Sequence, residues 1–122
     1  SLMEEDDLFQ RIYVDAEIAL SDISEKFVRI LNRFAPFGPK NMRPVFQSNN
    51  LQVVGTPRVI GRNHLKFRVQ QKSHVFDAIG FGLGHLYDRL SEGEANLDMV
   101  YVIEENVWNG QARTQLRVKD LR

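Results

Sequence analysis

Lys66 and Arg68 alternate with Leu65, Phe67 and Val69 in "HLKFRVQQ" (64–71). Arg113, Gln115, Arg117 and Lys119 repeat that alternation in "QARTQLRVKDL" (111–121), opposite Leu116 and Val118. Successive strand residues point to opposite faces, so each segment presents one apolar side and one side rich in cations. His64 shares the polar side of the first row, and Arg58 and Arg62 flank the turn before it. Trp108 stands next to Asn109-Gly110, a two-residue hairpin signal. Rows of cations follow phosphates, and an aromatic ring beside a loop offers a stacking face for bases. These are the two parts of a surface for single-stranded nucleic acid. The plainer reading is that outward strand positions are commonly charged and that Trp108 caps the end of a barrel.

Self-sufficient catalysis has much weaker support. His64, His74 and His85 show no metal-ligand spacing. Glu104 and Glu105 are neighbours on a strand, so they face opposite ways and form no carboxylate dyad. They and Asp6-Asp7 read as solvated charge. "GFGLG" (80–84) imitates a phosphate loop in composition but lacks the following Lys-Ser/Thr. It reads better as a strand-to-helix junction. The absence of Cys excludes a disulfide framework and a thiol nucleophile. Sixteen Lys and Arg balance sixteen Asp and Glu. Residues 1–50 carry six bases against eight acids, and residues 51–122 carry ten against eight. Any electrostatic attraction must therefore come from local placement, not from net charge.

The elements that must hold these residues are mostly strands. "RIYVDAEIAL" (11–20) reads as a short extended segment around Ile12, Tyr13 and Val14. "SDISEKFVRILNRF" (21–34) reads as a helix capped by Ser21 or Asp22, with Ile23, Phe27, Ile30, Leu31 and Phe34 on one face. Pro36, Phe37, Gly38, Asn41 and Pro44 form a stiff joint, because each proline fixes its own φ and restricts the residue before it. Strands follow at 51–60, bent at Gly55-Thr56-Pro57, then at 64–71 and 74–82. A short amphipathic helix spans 83–90, and strands 96–108 and 111–121 meet at the Asn109-Gly110 turn.

Three strands, a short helix and a final hairpin match a mainly β fold, the five-stranded OB barrel with its helix between strands three and four. A connecting strand and helix precede it. The expected division is residues 1–2 as a cloning scar ahead of Met3, 3–50 as the connection from a preceding domain, and 51–122 as the OB-fold domain. Neither a membrane-length apolar run nor a signal peptide is visible, so the expected location is the cytoplasm.

"FAPFGPKNMRPVF" (34–46) resembles the "PFG-x-GN-x-x-P-x-F" signature of RecJ-type single-stranded-DNA exonucleases. The resemblance continues, in the same order, through "HLKFRV" (64–69), "FDAIGFG" (76–82) and "NVWNGQARTQLRVKDL" (106–121), and covers roughly residues 12–122. Lys40 and Met42 depart from the glycine and proline usual at their positions. The resemblance implies a parent enzyme that degrades single-stranded DNA from the 5′ end in repair and recombination. It uses Mn²⁺ or Mg²⁺ in a DHH-type core whose motifs this chain lacks. The chain would be the non-catalytic OB portion, with no cofactor of its own and single-stranded DNA as its partner. Docking of a repair partner, such as a single-stranded-DNA-binding protein, and RNA binding are the alternatives. The joint would then set the OB face against the catalytic cleft.

Overall fold

A computed structural model describes residues 14–34, 43–92 and 96–122. Strands β1 (Ala16–Glu17), β2 (Val45–Ile60), β3 (His64–Gln71), β4 (His74–Gly80), β5 (Leu97–Trp108) and β6 (Gln111–Leu121) form one sheet in the order β1-β2-β3-β4-β6-β5. Pairing of β2 with β5 closes β2–β6 into a five-stranded barrel, and β1 adds to β2 in parallel. Only β4 and β6 run parallel within the barrel. This is the OB-type closed barrel expected from the element order.

Local chemistry explains where the chain turns. Asn109 and Gly110 both have positive φ, 51° and 78°, as a type I′ hairpin requires. β2 bends twice. It shifts register against β5 between Ser48 and Leu51, where Asn50 has φ 59°, and against β3 between Val54 and Arg58, where Gly55 has φ 73°. Asn and Gly are the residues that enter this left-handed region most readily. Alternation then fills the interior with Leu65, Phe67, Val69, Met99, Tyr101, Ile103, Leu116 and Val118. Leu90 adds to the same core from the short helix α2 (Tyr87–Ser91), which follows a 3-10 turn at Gly84–Leu86.

Several boundaries differ from the sequence reading. The first barrel strand begins at Val45, not Leu51, because "VFQSNN" forms ladders with β1 and β5 despite its polar residues. The early extended segment is only Ala16–Glu17. Val14 is exposed, and Ile12 and Tyr13 lie outside the described residues. Helix α1 spans Glu25–Asn32, and its cap is Ser24, whose Oγ accepts from the Phe27 N–H at 3.1 Å. Asp22 instead closes a 3-10 turn at Leu20–Asp22 by accepting from the Ala19 N–H. The buried face of α1 centres on Phe27, Val28 and Leu31. Ile30 lies to one side of it, and Phe34, 60% exposed, falls beyond the helix end. In the joint, Pro36, Phe37, Gly38 and Asn41 lie outside the described residues, while Pro44 is half-buried ahead of β2.

The segment before the barrel is fastened to it by named bonds. Asp15 accepts from the Val45 N–H at 2.8 Å, and Asn49 donates to Glu17 at 2.6 Å. The Gln71 amide bridges two segments of the chain, accepting from the Leu20 N–H and donating to the Asn49 carbonyl, both at 2.8 Å. Ser48 donates to the Ile18 carbonyl at 2.7 Å and lies 2.7 Å from the Tyr101 hydroxyl. A serine has one proton to give, so in this arrangement Tyr101 donates to Ser48.

Burial pushes the Tyr101 phenol up from 10.0 to about 12. The neutral phenol is therefore the form that the folded state holds. Its contribution to stability is complete below pH 10 and is lost as pH rises from 10 to about 12, because the unfolded chain ionises first. Urea midpoints measured across that window should fall more steeply for the wild type than for Tyr101→Phe. Equal slopes would show that Tyr101 ionises as readily folded as unfolded.

Candidate nucleic-acid interface

β3, β4 and β6 carry the outer face. Across β3 and β4, Lys66 lies opposite Ile79 and Arg68 opposite Asp77. Across β4 and β6, Asp77 lies opposite Gln115 and Ile79 opposite Arg117. Arg58 on β2 lies opposite Lys66. The inward partners Leu65, Phe67, Val69 and Leu116 are buried, which fixes the register and with it the outward direction of the cations.

Arg58, Lys66, Arg68 and Arg113 surround a groove of about 400 Å³, whose wall also includes Gly55, Thr56 and Asp77. A second groove of about 360 Å³ shares Lys66, Asp77 and Arg113 and extends to Asn106, Gln111 and Gln115. A shallow third, of about 330 Å³, lies along Val75, Phe76 and Arg113. Arg68 and Asp77 pair at 3.3 Å with side chains 64% and 31% exposed, a kind of pair that contributes little and is readily exchanged for another anion.

The other expected residues are placed differently. Arg117 lies with its guanidinium 5.1 Å from the centre of the Phe81 ring and pairs with Glu104 at 3.4 Å. His64 meets the same ring edge-on, with centroids 5.1 Å apart, and its Nδ1 accepts from the Gly82 N–H. Arg62 on the β2–β3 turn and Lys119 on β6 are exposed and line none of the three grooves. The Trp108 backbone pairs with Gln111, but its side chain lies outside what is described. Sequence reasoning missed the two carboxylates, Asp77 and Glu104, that interleave with the cations. It also missed Phe81, although Asp77, Ile79 and Phe81 continue one alternation out of β4. Glu105, read as solvated, accepts from Asn32 on α1 at 3.0 Å.

Among the described residues, no group of three or more His, Cys, Asp or Glu could hold a metal ion. No helix among them is long and apolar enough to cross a membrane.

The family model described as RecJ OB domain matches residues 14–120. The fold is similar to that of RecJ from Thermus thermophilus in complex with Mn²⁺ (TM-score 0.59, 23% identity), over 80% of this chain and 13% of that one. The same protein in complex with Mg²⁺ matches equally, over 14% of its chain. A putative aspartyl-tRNA synthetase from Leishmania major Friedlin is similar over 86% of this chain and 20% of its own, with TM-score 0.56 and 14% identity. No curated protein matches. The chain thus spans about one eighth of the Thermus protein's length.

Proposed function

We propose, from the premise that the chain belongs to the RecJ OB domain family, that its β3–β4–β6 face binds single-stranded DNA for a parent exonuclease. The observation that carries this reading is the convergence of Arg58, Lys66, Arg68 and Arg113 on one groove of a chain whose formal net charge is zero. Phosphates would take the cations in turn, displacing Asp77 from Arg68. The metal chemistry, with Mn²⁺ or Mg²⁺, would belong to the parent's catalytic core, since the described residues of this chain do not fit such an ion. Degradation from the 5′ end in cytoplasmic repair and recombination is the role this reading gives the parent. Residues ahead of the barrel would connect it to that core, through the joint of Pro36, Phe37, Gly38, Asn41 and Pro44.

A second reading, docking of a protein partner such as a single-stranded-DNA-binding protein, draws on the same face. It is favoured by Asp77 and Glu104, which cut the positive charge there. Salt dependence separates the two. Lys66 and Arg113 each line both larger grooves, so Lys66→Ala with Arg113→Ala should weaken binding of a fluorescent oligothymidylate. It should also reduce the salt slope by about 1.4, at about 0.7 per lost phosphate contact. Unchanged affinity in the double variant, or no binding by the wild type at low salt, would leave partner docking in its place.

A further inference from the structure

We propose that Phe81 is a stacking platform for one base of single-stranded DNA, at the end of the cationic face. This rests on the DNA-binding reading and adds to it a site for a base, where the groove offers sites for phosphates. The ring is 48% exposed, yet it is held on two sides. His64 meets it edge-on at 75°, and the Arg117 guanidinium stands 5.1 Å from its centre. Each neighbour has a contact of its own, Arg117 with Glu104 at 3.4 Å and His64 with the Gly82 N–H at 3.2 Å. Single exposed apolar residues are common and mean little. An exposed ring flanked by a cation and an imidazole is different, because those two contacts restrict the orientations open to it before a ligand arrives.

Its position fits a strand running along the groove. Asp77 lines all three grooves, and Phe81, four residues on and just past the end of β4, meets Arg117, whose backbone lies opposite Ile79 on the same β4–β6 pair. Four residues span at most about 13 Å even when fully extended. Nucleotides whose phosphates engage Lys66, Arg68 and Arg113 would bring a neighbouring base over the ring, with Arg117 beside the next phosphate. Every base has a π face, so the platform would tolerate any sequence.

Phe81→Leu keeps an apolar body of similar size and removes the ring, and Phe81→Trp restores an aromatic face. Titration with a fluorescein-labelled oligothymidylate should show Phe81→Leu weaker by roughly 5- to 150-fold, the range of one base–aromatic stack, with the salt slope unchanged. Phe81→Trp should bind as the wild type does. Against an oligomer of the same length with abasic residues, wild type and Phe81→Leu should bind alike. Thermal midpoints check that both variants fold. Normal binding by Phe81→Leu, or an equal loss on the abasic oligomer, would overturn the stacking site while leaving groove binding intact. A wild type that binds neither oligomer at low salt would overturn both proposals.

Discussion

Phe46→Ala should lower the unfolding free energy by about 3–5 kcal/mol, the usual cost of emptying a buried aromatic position. Phe46 is 6% exposed and lies where three elements meet. Its ring is 5.7 Å from that of Phe27 on α1 and 6.4 Å from that of Tyr101 on β5, and its backbone lies opposite Ala16 of β1. Truncation therefore removes the contact that docks the helix as well as part of the barrel core. Urea unfolding gives the total, and amide exchange in α1 shows whether the helix loosens first. A loss below about 1 kcal/mol would mean that α1 is held by other contacts and that the site repacks.

Ser48→Ala should cost about 2–4 kcal/mol, although it removes a single oxygen atom. That oxygen serves the Ile18 carbonyl and the Tyr101 hydroxyl together. Each loses its partner, and an unsatisfied buried polar group costs about 1–3 kcal/mol. Adding Tyr101→Phe to the Ser48→Ala background should recover part of the loss, because the orphaned hydroxyl is gone. Denaturation of the two single variants and the double variant closes the cycle. Additive losses would show that Ser48 and Tyr101 act independently.

The barrel was readable from the sequence wherever alternation was strict. "HLKFRVQQ" and "QARTQLRVKDL" gave β3 and β6 with their inner and outer faces, and Asn109-Gly110 gave the hairpin. The start of β2 was hidden because Gln47, Ser48, Asn49 and Asn50 are poor strand signals. They are in a strand because of what lies beside them, β1 and β5, and that pairing is not local. The helix cap was displaced for a related reason. Asp22 and Ser24 are both good caps, and the choice fell to a short 3-10 turn that took Asp22 first. At the candidate interface the cations were legible as rows. Their pairing with Asp77 and Glu104 depends on the β3–β4 and β5–β6 registers, which no local pattern fixes. Phe81 was obscured by the glycines around it.

β2 exchanges partners between Leu51 and Gln52, pairing with β5 up to Leu51 and with β3 from Gln52 on. The order of assembly follows from this. β3–β4 and β5–β6 join through tight turns, so each closes only a short loop. Joining β2 to β5 brings Val45 against Val102 and encloses most of the barrel sequence. The entropy of closing a loop grows with its length, and topologies rich in such distant pairings fold slowly. The ring is therefore expected to close last at the seam that Phe46 and Ser48 occupy, where the paired residues are furthest apart in sequence. Until then the early part of β2 is an open edge, with polar side chains that give a stray strand little apolar surface to grip.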